Sequence, residues 1–177
     1  VLNLRGMKES IKVLLPIFAG FFLTHPFLIL YGIAAHSDGL PRLIPDTITE
    51  TRQLTEQMGW VFAAALFLRA YSLGGGTYTG LEAVSNNVNM LSEPRVKTGR
   101  YTMFYMASSL SFTAGGIILL YLLWNVQHVP HQTLNAVTFG AIIDSWQLNP
   151  VFGHVLLAVV LLLEEGLLFV AANTGFL

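Results

Sequence analysis

The 177 residues are 54% apolar and only 11% charged, with nine Lys and Arg against ten Asp and Glu for a net charge of −1. That charged fraction is roughly half the ~25% of soluble domains, too little to cover a globule of this size, and a near-neutral chain has no cationic surplus for nucleic-acid phosphates. Without cysteine there is no disulfide framework, no thiolate nucleophile and no sulfur-ligated metal, which leaves a membrane protein or a very apolar helical bundle.

The first predicted element covers residues 11–36. Between Lys12 and Asp38 the chain reads VLLPIFAGFFLTHPFLILYGIAAHS with no ionised group, ample for a crossing that takes ~20 residues. It is too long for a signal-peptide core and is read as a retained helix. His25 followed by Pro26 predicts a kink and an internal hydrogen bond, because Pro26 removes a backbone donor. No second ligand stands near His25 in sequence to make it a metal site. Residues 36–57 follow as a loop with Pro41 and Pro45, in which Thr47 is expected to cap a short amphipathic helix with Glu50 three residues on.

Residues 58–90 form the second element, interrupted near 74–79. WVFAAALFL leads to Arg69, then to Gly74, Gly75 and Gly76, then to Thr77, Tyr78, Thr79 and Gly80, and on to Glu82. Each glycine weakens a helix by roughly 1 kcal/mol relative to alanine, and a break at membrane depth is tolerated only where it is buried in protein or lines a cavity. Close helix packing is the other use of small residues in membranes, but it seldom needs three together, so a discontinuous helix is expected. Its open backbone, with Gly74, Gly75, Gly76, Thr77, Tyr78 and Thr79, forms the candidate substrate site. The run lacks the following lysine of a phosphate loop. Arg69 and Glu82, separated by about 20 Å along one continuous helix, cannot pair directly and each needs its own environment.

The third element covers residues 101–124. The loop beyond it holds a short surface helix near residues 132–141, without strong caps. The fourth element, residues 150–174, carries Glu164 and Glu165 near its middle, where adjacent positions point about 100° apart. At least one of the two carboxylates must therefore face protein or an aqueous path. Asn173 and Thr174 close this span with groups able to meet a cation or a neighbouring helix. Arg69, Glu82, Glu164, Glu165, Asn173 and Thr174 together form a candidate coupling or polar network.

Basic residues mark the sides. Arg5, Lys8 and Lys12 precede the first span, and Arg95, Lys97 and Arg100 stand between the second and third, so both segments are expected in the cytoplasm. Residues 36–57 and 125–149 face outward. The fold class predicted is an all-α polytopic membrane protein of four spans, one of them discontinuous.

Two segments resemble the amino acid, polyamine and organocation superfamily of permeases: NLRGMKES before the first span, and TYTGLEAVSN at the glycine break, with Gly80, Leu81 and Glu82. The resemblance labels the four spans as the fifth to eighth helices of a five-plus-five inverted-repeat transporter, so the chain is expected to be part of a longer protein. It implies alternating access, with substrate at the broken sixth helix and Asn173 and Thr174 near the site of sodium or a substituting proton. Potassium-proton symporters of the same superfamily have a similar TGxEAxSN run. The expected function is secondary active transport of amino acids or related small organic solutes, coupled to protons. The rivals are a potassium-proton symporter and a noncatalytic membrane subunit. No nucleophile-base pair or metal constellation marks an enzyme, and no cofactor is expected. The implied partners are the lipid bilayer of a cell membrane, the solute, a proton and the remaining helices.

Overall fold

The computed structural model describes residues 7–75, 79–86 and 88–174, and its regular structure is helical throughout, with no strand among these residues. Among the described residues seven α-helices follow one another: α1 (Met7–Ala35), α2 (Leu40–Met58), α3 (Trp60–Gly74), α4 (Thr79–Asn86), α5 (Arg95–Leu123), α6 (Leu134–Asp144) and α7 (Pro150–Thr174). Among the same residues three helical stretches are long and apolar enough to cross a membrane: Leu14–Ala35, Arg95–Leu123 and Pro150–Phe169. They leave large apolar side chains such as Leu23, Phe104 and Leu162 exposed, the surface that lipid or further helices cover. The chain is a multi-pass helical membrane protein.

Two compact units form. One contains α2, α3, α4 and the first part of α5. Here α2 begins at Leu40, with proline in its first turn where a missing N–H costs nothing. The expectation that Thr47 caps this helix is therefore corrected: Thr47 lies inside it, and the cap position is Gly39, which makes no side-chain cap bond. Arg52 and Glu56 pair one turn apart at 2.9 Å on its exposed face. Gly59 separates α2 from α3 at φ 84°, ψ 153°, a backbone that only glycine adopts readily, while its N–H still bonds Thr55 O at 2.9 Å. Where one interrupted element was expected over residues 58–90, α3 ends at Gly74 and α4 opens at Thr79. Each is too short to span a bilayer alone.

The other unit gathers α1, the end of α5, α6 and α7. Its core consists of Leu28 and Ile29 of α1, Leu120 of α5, Phe139, Ile142 and Ile143 of α6, and Val160 of α7, with Trp124 and Trp146 packed against them. Close approach is permitted by glycine. A methyl at Gly20 would meet Leu163 at 2.8 Å, one at Gly166 would meet Ile17 at 3.0 Å, and one at Gly32 would lie 2.6 Å from Leu120 and 2.9 Å from Ile142. In lipid, such small-residue contacts substitute for the hydrophobic drive that soluble helices use.

The short helix expected on the surface is displaced inward. Thr133 caps α6, accepting a hydrogen bond from Ala136 N at 3.1 Å, and Thr138, Phe139, Ile142 and Ile143 are buried. The start of α6 lies beside Glu164 in the middle of α7, and its end lies near Gly153 in the first turn of α7. The connection after α5 therefore carries the chain back to mid-helix depth before α6 returns. A segment with apolar residues around most of its circumference can be covered on all sides only in this way.

Candidate functional site

Four polar side chains of this unit meet around Glu164. His25 of α1 is fully buried, stacked on Phe21 with ring centroids 3.8 Å apart and edge-on to Phe139 at 5.2 Å. Thr24 donates from Oγ1 to Gly20 O at 2.9 Å, back-bonding one turn along α1, and presents the same oxygen to His25 Nδ1 at 3.2 Å. On the opposite side of the ring, His25 Nε2 stands 3.8 Å from Glu164 Oε1.

Glu164 is held from a second direction. Asn135, in the first turn of α6, donates from Nδ2 to Glu164 Oε1, and its Oδ1 accepts from Tyr121 Oη of α5. Four helices thus contribute to one polar junction, and the Glu164 side chain retains only 17% exposure. Because the two bonds fix which end of the Asn135 amide faces the carboxylate, the orientation of that amide is determined by its partners. Trp124 adds a bond between helices, donating from Nε1 to Gly32 O at 3.0 Å. That carbonyl is reachable because Gly32 carries no side chain.

Beside the junction opens a cavity of about 750 Å³, lined by Phe21 of α1, His131, Gln132 and Thr133 ahead of α6, Asn135 and Ala136 of α6, and Glu164, Glu165 and Leu168 of α7. Irregular backbone such as residues 131–133 is acceptable at this depth because it lines a cavity. From Pro150, Glu164 lies about 21 Å along α7, and His25 lies in the middle of Leu14–Ala35. An anionic carboxylate at that depth is costly unless it is paired, protonated or facing water.

Among the sequence-predicted residues, Glu164 enters the junction. Glu165, one position on, is exposed and lines the same cavity. Arg69 in α3 and Glu82 in α4 are exposed in the other unit, and no ion pair joins them among the described residues. Gly74 ends α3 and Gly75 caps it in helical geometry at φ −59°. A methyl added at either would meet nothing within 4 Å. Gly76, Thr77 and Tyr78 lie outside the described residues, and Thr79 opens α4. Asn173 and Thr174 lie in the last turn of α7, with side chains outside those described. No group of three or more His, Asp or Glu close enough to hold a metal occurs among the described residues.

Tyr121 and Asn135 are the members that sequence reasoning missed. Neither is charged, and nothing in their local spacing links them to Glu164. The one signal is the position of Asn135 in the long uncharged tract before Asp144.

No protein-family model and no solved structure matches the chain. The potassium transporter KimA of Bacillus subtilis (strain 168) is 29% identical over 182 residues, an alignment covering 99% of this chain and 27% of that protein. The chain spans about a quarter of the length of this curated relative, and along nearly its whole length it is similar to a segment of a transporter.

Proposed function

We propose that this chain forms part of a proton-coupled secondary transporter working by alternating access, with Glu164 as a coupling carboxylate and the interruption between α3 and α4 as a substrate element. The observation that carries this reading is a mid-helix carboxylate that receives Asn135 of α6, stands 3.8 Å from the buried His25 of α1 and lines a largely apolar cavity. Intramembrane ionisable groups of this kind mark ion and proton pathways. The glycine interruption supports the second part, because α3 ends at Gly74 with Gly75 as its C-cap and α4 opens only at Thr79.

Potassium is one candidate solute, supported by the likeness to KimA and by the TGLEAVSN run ending at Asn86. Amino acids or related organic solutes form the second reading, carried by the permease-like NLRGMKES segment. The two separate in liposomes containing the intact protein. Proton influx driven by a potassium gradient, without amino-acid counterflow, supports potassium. Counterflow of labelled amino acids without potassium flux supports the second reading. Absence of both fluxes in protein shown to be inserted and folded overturns the transport assignment.

A further inference from the structure

We infer that His25 and Glu164 form a buried proton-binding site, taking up a single proton between Nε2 and Oε1. The inference begins with the hydrogen-bond inventory of the ring. Thr24 has one hydroxyl proton, and the shorter of its contacts commits that proton to Gly20 O at 2.9 Å. Toward His25 Nδ1, 3.2 Å away, the same oxygen has only lone pairs to offer. Nδ1 must therefore carry the ring proton, which leaves Nε2 of a neutral imidazole as an acceptor. Nε2 has no hydrogen-bond partner and no access to solvent.

The atom it faces is another acceptor. Glu164 Oε1 already receives the Asn135 amide, itself fixed by Tyr121, and turns its remaining lone-pair side toward the ring. At 3.8 Å the two acceptors face each other beyond hydrogen-bond distance. One added proton changes the sign of that contact: an N–H or O–H bond forms, nothing else is broken, and the 3.8 Å gap can close toward the ~2.8 Å of a charge-assisted hydrogen bond. The proton belongs to the pair, whether it rests on nitrogen or on oxygen.

In residues 1–37 and 117–177 the only Lys and Arg are Arg5, Lys8 and Lys12, and Lys12 precedes His25 by about 20 Å of helix. The titratable groups around the pair are Tyr121 from α5, Glu165 from α7 and His131 from the connection before α6. α6 itself presents the neutral Asn135, its lone acid Asp144 lying at the far end. The cavity lined by His131 and Glu165 reaches the same carboxylate.

The role of this proton in coupling rests on the proposed transport function, whereas the site itself can be tested without transport. Infrared spectra of the reconstituted protein, recorded as a function of pH, follow the carboxylic-acid stretch. A band assigned to Glu164 by its loss in Glu164→Gln is expected, and its midpoint should move by about tenfold or more in proton concentration in His25→Gln, as coupled sites require. A Glu164 band unmoved by His25→Gln overturns the site. Should that variant fail to fold, ¹⁵N-histidine spectra decide instead, using protein in which His36, His128, His131 and His154 are replaced by Gln. A ring protonated at Nδ1 whose Nε2 signal shifts as Glu164 titrates supports the site, and a neutral ring protonated at Nε2 overturns it. Intact proton uptake in protein that moves no solute would remove the transport reading and leave the site standing.

Discussion

Replacing Gly32 with alanine tests how tightly α1, α5 and α6 are packed together. The new methyl would sit 2.6 Å from Leu120 Cδ2 and 2.9 Å from Ile142 Cδ1, both belonging to fully buried side chains. Their methyl ends have little room to retreat, because Ile29, Phe139 and Val160 fill the same core. Overpacking of this kind costs about 1–3 kcal/mol, against which alanine returns roughly 1 kcal/mol of helix propensity. Gly115→Ala in α5 serves as the control, since a methyl there meets nothing within 4 Å. It receives the same propensity gain without the clash. The difference between the variants is thus expected to be about 1–3 kcal/mol, with Gly32→Ala the less stable. Unfolding of the two purified variants in detergent, followed by temperature or denaturant, measures it directly. Equal stability of the two would refute the close approach and with it the inward placement of α6.

Three further outcomes are expected. Thr133→Ala removes the hydroxyl that accepts from Ala136 N and should destabilise the protein by about 0.5–2 kcal/mol in the same unfolding assay, whereas Thr133→Ser should restore most of the loss. Asn135→Leu leaves Tyr121 Oη and Glu164 Oε1 without their amide partner. It should cost about 1–3 kcal/mol, and a double variant with Glu164→Gln should fall short of the sum of the two single losses if the residues form one network. Gly75→Leu should abolish uptake in liposomes while leaving membrane insertion intact, and normal uptake would remove the α3–α4 interruption as a substrate element.

Charge placement made the membrane architecture readable, because an uncharged run such as residues 13–37 can satisfy its backbone in lipid only as a helix. The glycines at 74–76 marked where α3 stops for the same local reason. The inward position of α6 could not be read this way. Leu134–Asp144 carries no signal separating a helix lying on the surface from one folded back against α7, and the choice depends on the room left by Gly32 and on the shapes of Leu120 and Leu157. Its N-terminal cap was equally quiet, since Thr133 is followed three residues later by Ala136 and not by the acid or amide of a capping box. The junction was visible only in part. Glu164 announced itself by being ionisable in an apolar helix, but its relation to His25 spans 139 residues of sequence, and the uncharged Asn135 and Tyr121 become informative only once three helices bring them together.

The depth of Glu164 also has an electrical meaning. About 21 Å along α7 from Pro150 corresponds to roughly 70% of a ~30 Å hydrocarbon core. A full transmembrane crossing is worth about 2.3 kcal/mol per elementary charge per 100 mV, so a proton travelling from the Pro150 end to the junction would exchange roughly 1.6 kcal/mol with such a field. That is about a fifteenfold change in occupancy for each 100 mV. Membrane voltage would then set how full the site is as effectively as a change in proton concentration does.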